Sequence, residues 1–199
     1  MRTLLIATLL LLSPMAWADS PLTSTPFSRA YQDVKWVQMA SEGDEVLSPQ
    51  LVKFLLKKGA PIDQKLAAIN ALGWDFNGTD NHATFWAALS KKRRYASYDE
   101  LVYKGSAEDI ICLAYMMALD NYFEVGQAAR LAKIAMERAP DSYSIQLVGG
   151  LILAQNDFDD WCKVFQHVDD VRQRNLPKDM REEAVVIIFE YMDLYRDSC

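Results

Sequence analysis

Apolar residues recur along this chain at helical spacing almost from end to end. The densest stretch runs from Ser106 to Val171. Ile110 to Leu119 is an unbroken apolar run with the small residue Ala114 near its middle. Gln127 to Ala139 then carries a stripe of Ala128, Leu131, Ala132, Ala135, Met136 and Ala139, with Arg130, Lys133 and Glu137 turned away. Pro140 stops that helix, and a second apolar run, Ile145 to Ala154, begins. Upstream, Phe27, Ala30, Tyr31, Val34 and Val37 predict one helix ended by Gly43. Ser48-Pro49, a capping hydroxyl before a proline, opens the next, which carries Leu51, Phe54 and Leu55 and stops at Lys57-Lys58-Gly59. Pro61 opens a third, with Ile62, Leu66, Ile69 and Leu72 inward. Phe85, Trp86 and Leu89 mark a fourth, and Ser97–Glu100 and Ser106–Asp109 read as helix-starting boxes. Phe158, Trp161, Cys162, Phe165 and Val168 keep the spacing, and Pro177 opens a last helix with Ala184, Ile187, Ile188, Tyr191 and Tyr195 on one face. No alternating run bounded by turns argues for a sheet. The pattern predicts an all-α protein of about eight or nine helices with antiparallel neighbours.

Laid at an offset of about 34 residues, the units from Asp109 and Tyr143 resemble tetratricopeptide repeats. Ala128, Ala135 and Pro140 fall where that family places its small second-helix residues and terminal proline. In the second unit Gly150 falls at the first-helix glycine and Cys162 at the first small residue of the second helix. Met116 replaces the glycine of the first unit, the leading tryptophan is absent from both, and no proline closes the second. The resemblance is confined to the second half of the chain. It implies antiparallel helix pairs stacked as a short right-handed solenoid, an irregular bundle being the alternative. It further implies a curved groove holding a peptide or protein, and no reaction.

The main break in the helical pattern is Trp74 to His82, with an Asn77-Gly78 turn inside it. Asp75, Asn77 and Thr79 are spaced like the first ligands of a calcium loop, but Asp80 stands where glycine is needed and Trp86 where a glutamate is needed. Rimmed by Trp74, Phe76, His82 and Trp86, this polar loop reads as a partner-recognition knob, with Trp74, Asp75, Asn77, Asp80, His82 and Trp86 as candidate contacts. The bland reading makes both tryptophans core. Lys91, Lys92, Arg93 and Arg94 form a basic patch, explained either by a helix C-terminus or by docking of an acidic partner. With two histidines in the chain, zinc-protease and zinc-finger spacings are absent, as are G-x-S-x-G and phosphate-loop motifs. His167, with Asp157, Asp159 and Asp160, reads as an acidic solvated face. No cofactor is expected.

Composition narrows the setting. Residues 1–18 read as a signal peptide, with Arg2, an apolar Leu4–Leu12 and Ala16-Trp17-Ala18 as cleavage site. The apolar core is shorter than the ~20 residues a span needs, so no stable membrane insertion is expected after cleavage. Residues 19–26 then form a flexible lead-in, and 27–199 a single helical domain with an N-terminal half (27–105) and a repeat-like half (106–199). The net charge of −6 disfavours nucleic acid. Of three cysteines, Cys112 sits in the most apolar run, which favours a Cys162–Cys199 disulfide; three free thiols or an intermolecular bridge are the alternatives. The expectation is a non-catalytic protein of the bacterial periplasm that binds another protein, as adaptor, assembly factor or toxin-neutralising immunity protein. An envelope hydrolase pairing carboxylates such as Asp75 and Asp80 is the competing reading.

Overall fold

Helices that are apolar on nearly every side must lie inside a protein, and two such helices set this architecture. The computed structural model describes residues 19–75 and 77–199. The predicted leader, residues 1–18, and Phe76 lie outside them. A 3-10 turn, Phe27–Tyr31, precedes α1 (Lys35–Ser41), α2 (Pro49–Leu55), α3 (Ile62–Leu72), α4 (Asn81–Arg93) and α5 (Tyr98–Lys104). Then follow α6 (Ala107–Asp120), α7 (Gly126–Arg138), α8 (Tyr143–Asn156), α9 (Trp161–Gln173) and α10 (Glu182–Met192), with a second 3-10 turn, Asp193–Ser198. Among the described residues there is no strand. The protein is all-α.

The two internal helices are α6 and α8. Tyr143 to Ala154 is buried without interruption, and so is Asp109 to Met116. α6 packs against α3, α4, α7 and α8, and α8 against α3, α6, α7 and α9. Gly150 shows how close α8 and α9 come: a Cβ there would lie 2.7 Å from the His167 carbonyl. The antiparallel stacking of α6 through α9 is thus dense. From the first half, α3 packs on both α6 and α8, and α4 on α6. The sequences of α6 and α8 carry the reason, since an unbroken apolar run leaves no face suited to solvent.

The two halves share one apolar cluster, reaching from Leu22 to Met192. α10 returns to the 3-10 turn at Phe27–Tyr31. The Tyr31 hydroxyl donates to Asp63 Oδ2 (2.9 Å) and accepts the Arg181 N–H (3.0 Å). Arg181 lies over the Tyr31 ring and pairs with Asp33 (Nη2–Oδ2 3.0 Å).

Three boundaries differ from expectation. The first helix is broken between Tyr31 and Lys35, so that fully buried Phe27 and Tyr31 contact α3 and α10 while α1 lays Val37 and Ala40 inward. Residues 19–26 are not loose: Leu22 and Thr25 are buried, and the Thr25 hydroxyl donates to the Pro21 carbonyl at 2.6 Å. The last helix starts at Glu182 rather than Pro177, because Asp179 is held at the start of α8. There Asp179 accepts the Ser144 N–H (2.6 Å) and the Ser142 hydroxyl (2.7 Å). Cys162 and Cys199 lie at disulfide distance, their Cα atoms 4.8 Å apart. Cys112 is free and buried.

Candidate functional site

The break in the helical pattern becomes a ridge between α3 and α4. Its turn is built locally: Asp75 Oδ1 accepts the Asn77 N–H (2.7 Å) and the Asp75 carbonyl accepts the Gly78 N–H (3.0 Å). Gly78 is required twice over. Its φ is +81°, and a Cβ would stand 2.9 Å from the Asp120 carbonyl.

Asp120, the last residue of α6, holds the ridge from beneath. Its side chain is 4% exposed. Oδ1 accepts the Thr79 hydroxyl, and Oδ2 accepts the His82 N–H at the start of α4 (2.7 Å). The Asp120 carbonyl accepts the Thr79 N–H at 3.2 Å. His82 Nδ1 lies 2.6 Å from Oδ2, and since that carboxylate is already the acceptor of two other bonds, Nδ1 is the donor. The hydrogen bond to Asp120 raises the His82 pKa above its ordinary value; burial opposes the rise, and the Asp120 and Asp80 charges add to it. The backbone of Leu47 and Glu45 is tied in by Asn81, whose Oδ1 accepts the Leu47 N–H and whose Nδ2 donates to the Glu45 carbonyl (both 2.7 Å).

Two clefts flank the ridge. The larger, of about 630 Å³, runs between the ridge and the start of α7, walled by Asp75, Asp80, His82, Tyr122, Phe123 and Glu124 among others. The smaller, of about 320 Å³, lies against Asp44, Glu45 and Val46. Asp75, Gly78, Thr79 and Asp80 belong to both. Phe123 and Val46 are each 65% exposed at the outer ends.

Four of the six expected contacts, Asp75, Asn77, Asp80 and His82, meet in the larger cleft. The tryptophans do not. Trp74 packs edge-on against Tyr122 (5.1 Å), Trp86 stacks on Tyr98 (4.3 Å), and both lie half-buried against the core. Of the residues with calcium-like spacing, Asp75 Oδ1 accepts the Asn77 N–H and the Thr79 hydroxyl donates to Asp120. The basic run separates: Lys91, Lys92 and Arg94 are exposed. Arg93 instead turns inward to grip Asp109 (2.9 and 3.1 Å) and the Leu56 carbonyl (3.2 Å). His167 is latched to Asp157 (2.7 Å) across the α8–α9 turn.

Asp120, Phe123 and Glu124 were missed by sequence reasoning. Asp120 ends the most apolar run of the chain, a place where a lone carboxylate needs a partner, but its partners lie 38 to 41 residues away. Compared with known proteins, the chain matches no family model, no curated protein and no solved structure.

Proposed function

We propose that this is a non-catalytic, exported protein that binds another protein through the Asp75–Asp80 ridge and its two clefts. The observation that carries the reading is the bracing of an exposed ridge by a buried carboxylate: Asn77 and Asp80 stand in solvent while Asp120 fixes the backbone below them. A surface held in one shape before contact loses less entropy on binding. The polar groups around the cleft support binding over bond-making, because Asp120, Thr79, His82 Nδ1 and Asp75 Oδ1 are already engaged in holding the ridge. The leader-like residues 1–18 and a cysteine pair at disulfide distance support the periplasm as its place. The roles that fit are an adaptor, an assembly factor or an immunity protein that neutralises a toxin of that compartment. The competing hydrolase rests on Asp75 and Asp80 lining one cleft.

The test is affinity capture with cross-linking from the source cell's envelope fraction, using the native chain beside Phe123→Asp and Asn77→Trp variants. A protein retained by the native chain and lost from both variants is the expected result. Retention of nothing specific, or of proteins indifferent to both substitutions, overturns the proposal. Turnover of an envelope polymer abolished by Asp75→Asn and Asp80→Asn would install the hydrolase in its place.

A further inference from the structure

The chemistry of the clefts narrows the partner, an inference that rests on the protein-binding reading above. Their walls carry Asp44, Glu45, Asp75, Asp80, Asp120 and Glu124, and among the described residues lining them there is no lysine or arginine. The basic patch is elsewhere. Lys91 and Lys92 close α4 while His82 begins it, roughly 14 Å away at 1.5 Å per residue. One wall of the larger cleft is aromatic as well as acidic: exposed Phe123 leans on Tyr122, with ring centroids 4.2 Å apart and Glu124 beside them. The Tyr122 hydroxyl, on a side chain 4% exposed in that wall, has no hydrogen-bond partner among the described residues. Buried hydroxyls are ordinarily satisfied.

We propose that the larger cleft receives an arginine side chain from a segment of the partner protein, stacked on Phe123 and paired with the Asp75, Asp80 and Glu124 carboxylates. Each feature of the site matches a property of guanidinium. It is planar and stacks on an aromatic face, it is weakly hydrated, and its fork of N–H donors serves several carboxylates at once. An ammonium group satisfies the charge but neither the stacking nor the fork.

The test uses the full chain and a short synthetic peptide, acetylated and amidated, with two arginines separated by glycine. Two controls replace arginine by lysine or by citrulline, which keeps the shape and removes the charge. Amide shifts are followed by NMR at low salt. Saturable shifts centred on Gly78, His82 and Phe123 are expected with the arginine peptide, weaker ones with lysine, and none with citrulline. The Asp75→Asn, Asp80→Asn, Glu124→Gln triple variant keeps the Asx turn and its dichroism and binds about tenfold more weakly. Shifts scattered over the surface, equal shifts from lysine and arginine, or undiminished binding by the triple variant each overturn the proposal. A captured partner that holds the triple variant as tightly as the native chain also overturns it, while leaving the ridge as a protein-binding surface intact.

Discussion

At the scale of single residues, Asp120 links the interior to the candidate site. It accepts a hydroxyl, a backbone N–H and an imidazole N–H at once, from a side chain that water scarcely reaches. Asp120→Asn keeps the volume but aims an amide N–H₂ at one of these donors. The expected cost is about 2 kcal/mol, read from the urea midpoint. The same substitution changes the pH dependence. His82 has a folded pKa raised by its hydrogen bond to Asp120, so its contribution is fully present below the unfolded value and is lost as pH rises through the folded one. Native stability should therefore decline above about pH 6.5 by a step that Asp120→Asn and His82→Asn both remove. A step of equal size in all three proteins would show that another group is titrating. The cleft should respond in the opposite sense: losing the His82 proton beside Asp80, Asp75 and Glu124 makes it more negative, and a cationic peptide binds more tightly.

At the scale of elements, the starts of helices were legible where a side chain caps its own helix. Ser48, Ser97 and Ser106 accept the N–H groups of Leu51, Glu100 and Asp109, as their spacing foretold. They were illegible where the cap comes from elsewhere. Asp109 does not reach back to complete its box, being gripped by Arg93, and α4 takes its N-terminal acceptor from Asp120 of α6. Pro177 looked like a helix start, but Asp179, two residues on, serves as an acceptor at the start of α8. The loop at residues 74–82 was found because it breaks a period, whereas Phe123 and Glu124 lie in a short α6–α7 turn whose letters carry no such signal. Asp179→Ala tests the borrowed cap: it should cost about 1–2 kcal/mol, with amide exchange accelerated at the first turn of α8 and unchanged at α4. Uniform acceleration would mean that the segment acts as part of the general fold and not as a cap.

At the scale of the whole molecule, the all-helical class was readable because every long segment repeats at one period, and the enclosure of α6 and α8 was implicit in their being apolar all round. What no local pattern carried was the closure by which Arg181 reaches the Tyr31–Asp33 turn, whereas the return of the chain end to α9 was foreshadowed by the cysteine arithmetic. The last of these can be counted chemically. With Cys162 and Cys199 joined and Cys112 buried, its thiol pushed up to about 12 by burial, the native protein should offer no thiol to a reagent and the unfolded one a single thiol. After mild reduction the native protein should offer two. A bridge between them would close a sequence separation of 37, for which chain entropy contributes about 4 kcal/mol. Cys162→Ser with Cys199→Ser should therefore lower the thermal midpoint by an amount equal to that produced by reducing the native protein. Three reactive thiols in unreduced denaturant would show that the pair does not form. A double variant as stable as the oxidised protein would show that noncovalent contacts hold the end of the chain, among them Tyr195 with Tyr191 and Trp161 and Arg172 with Asp193.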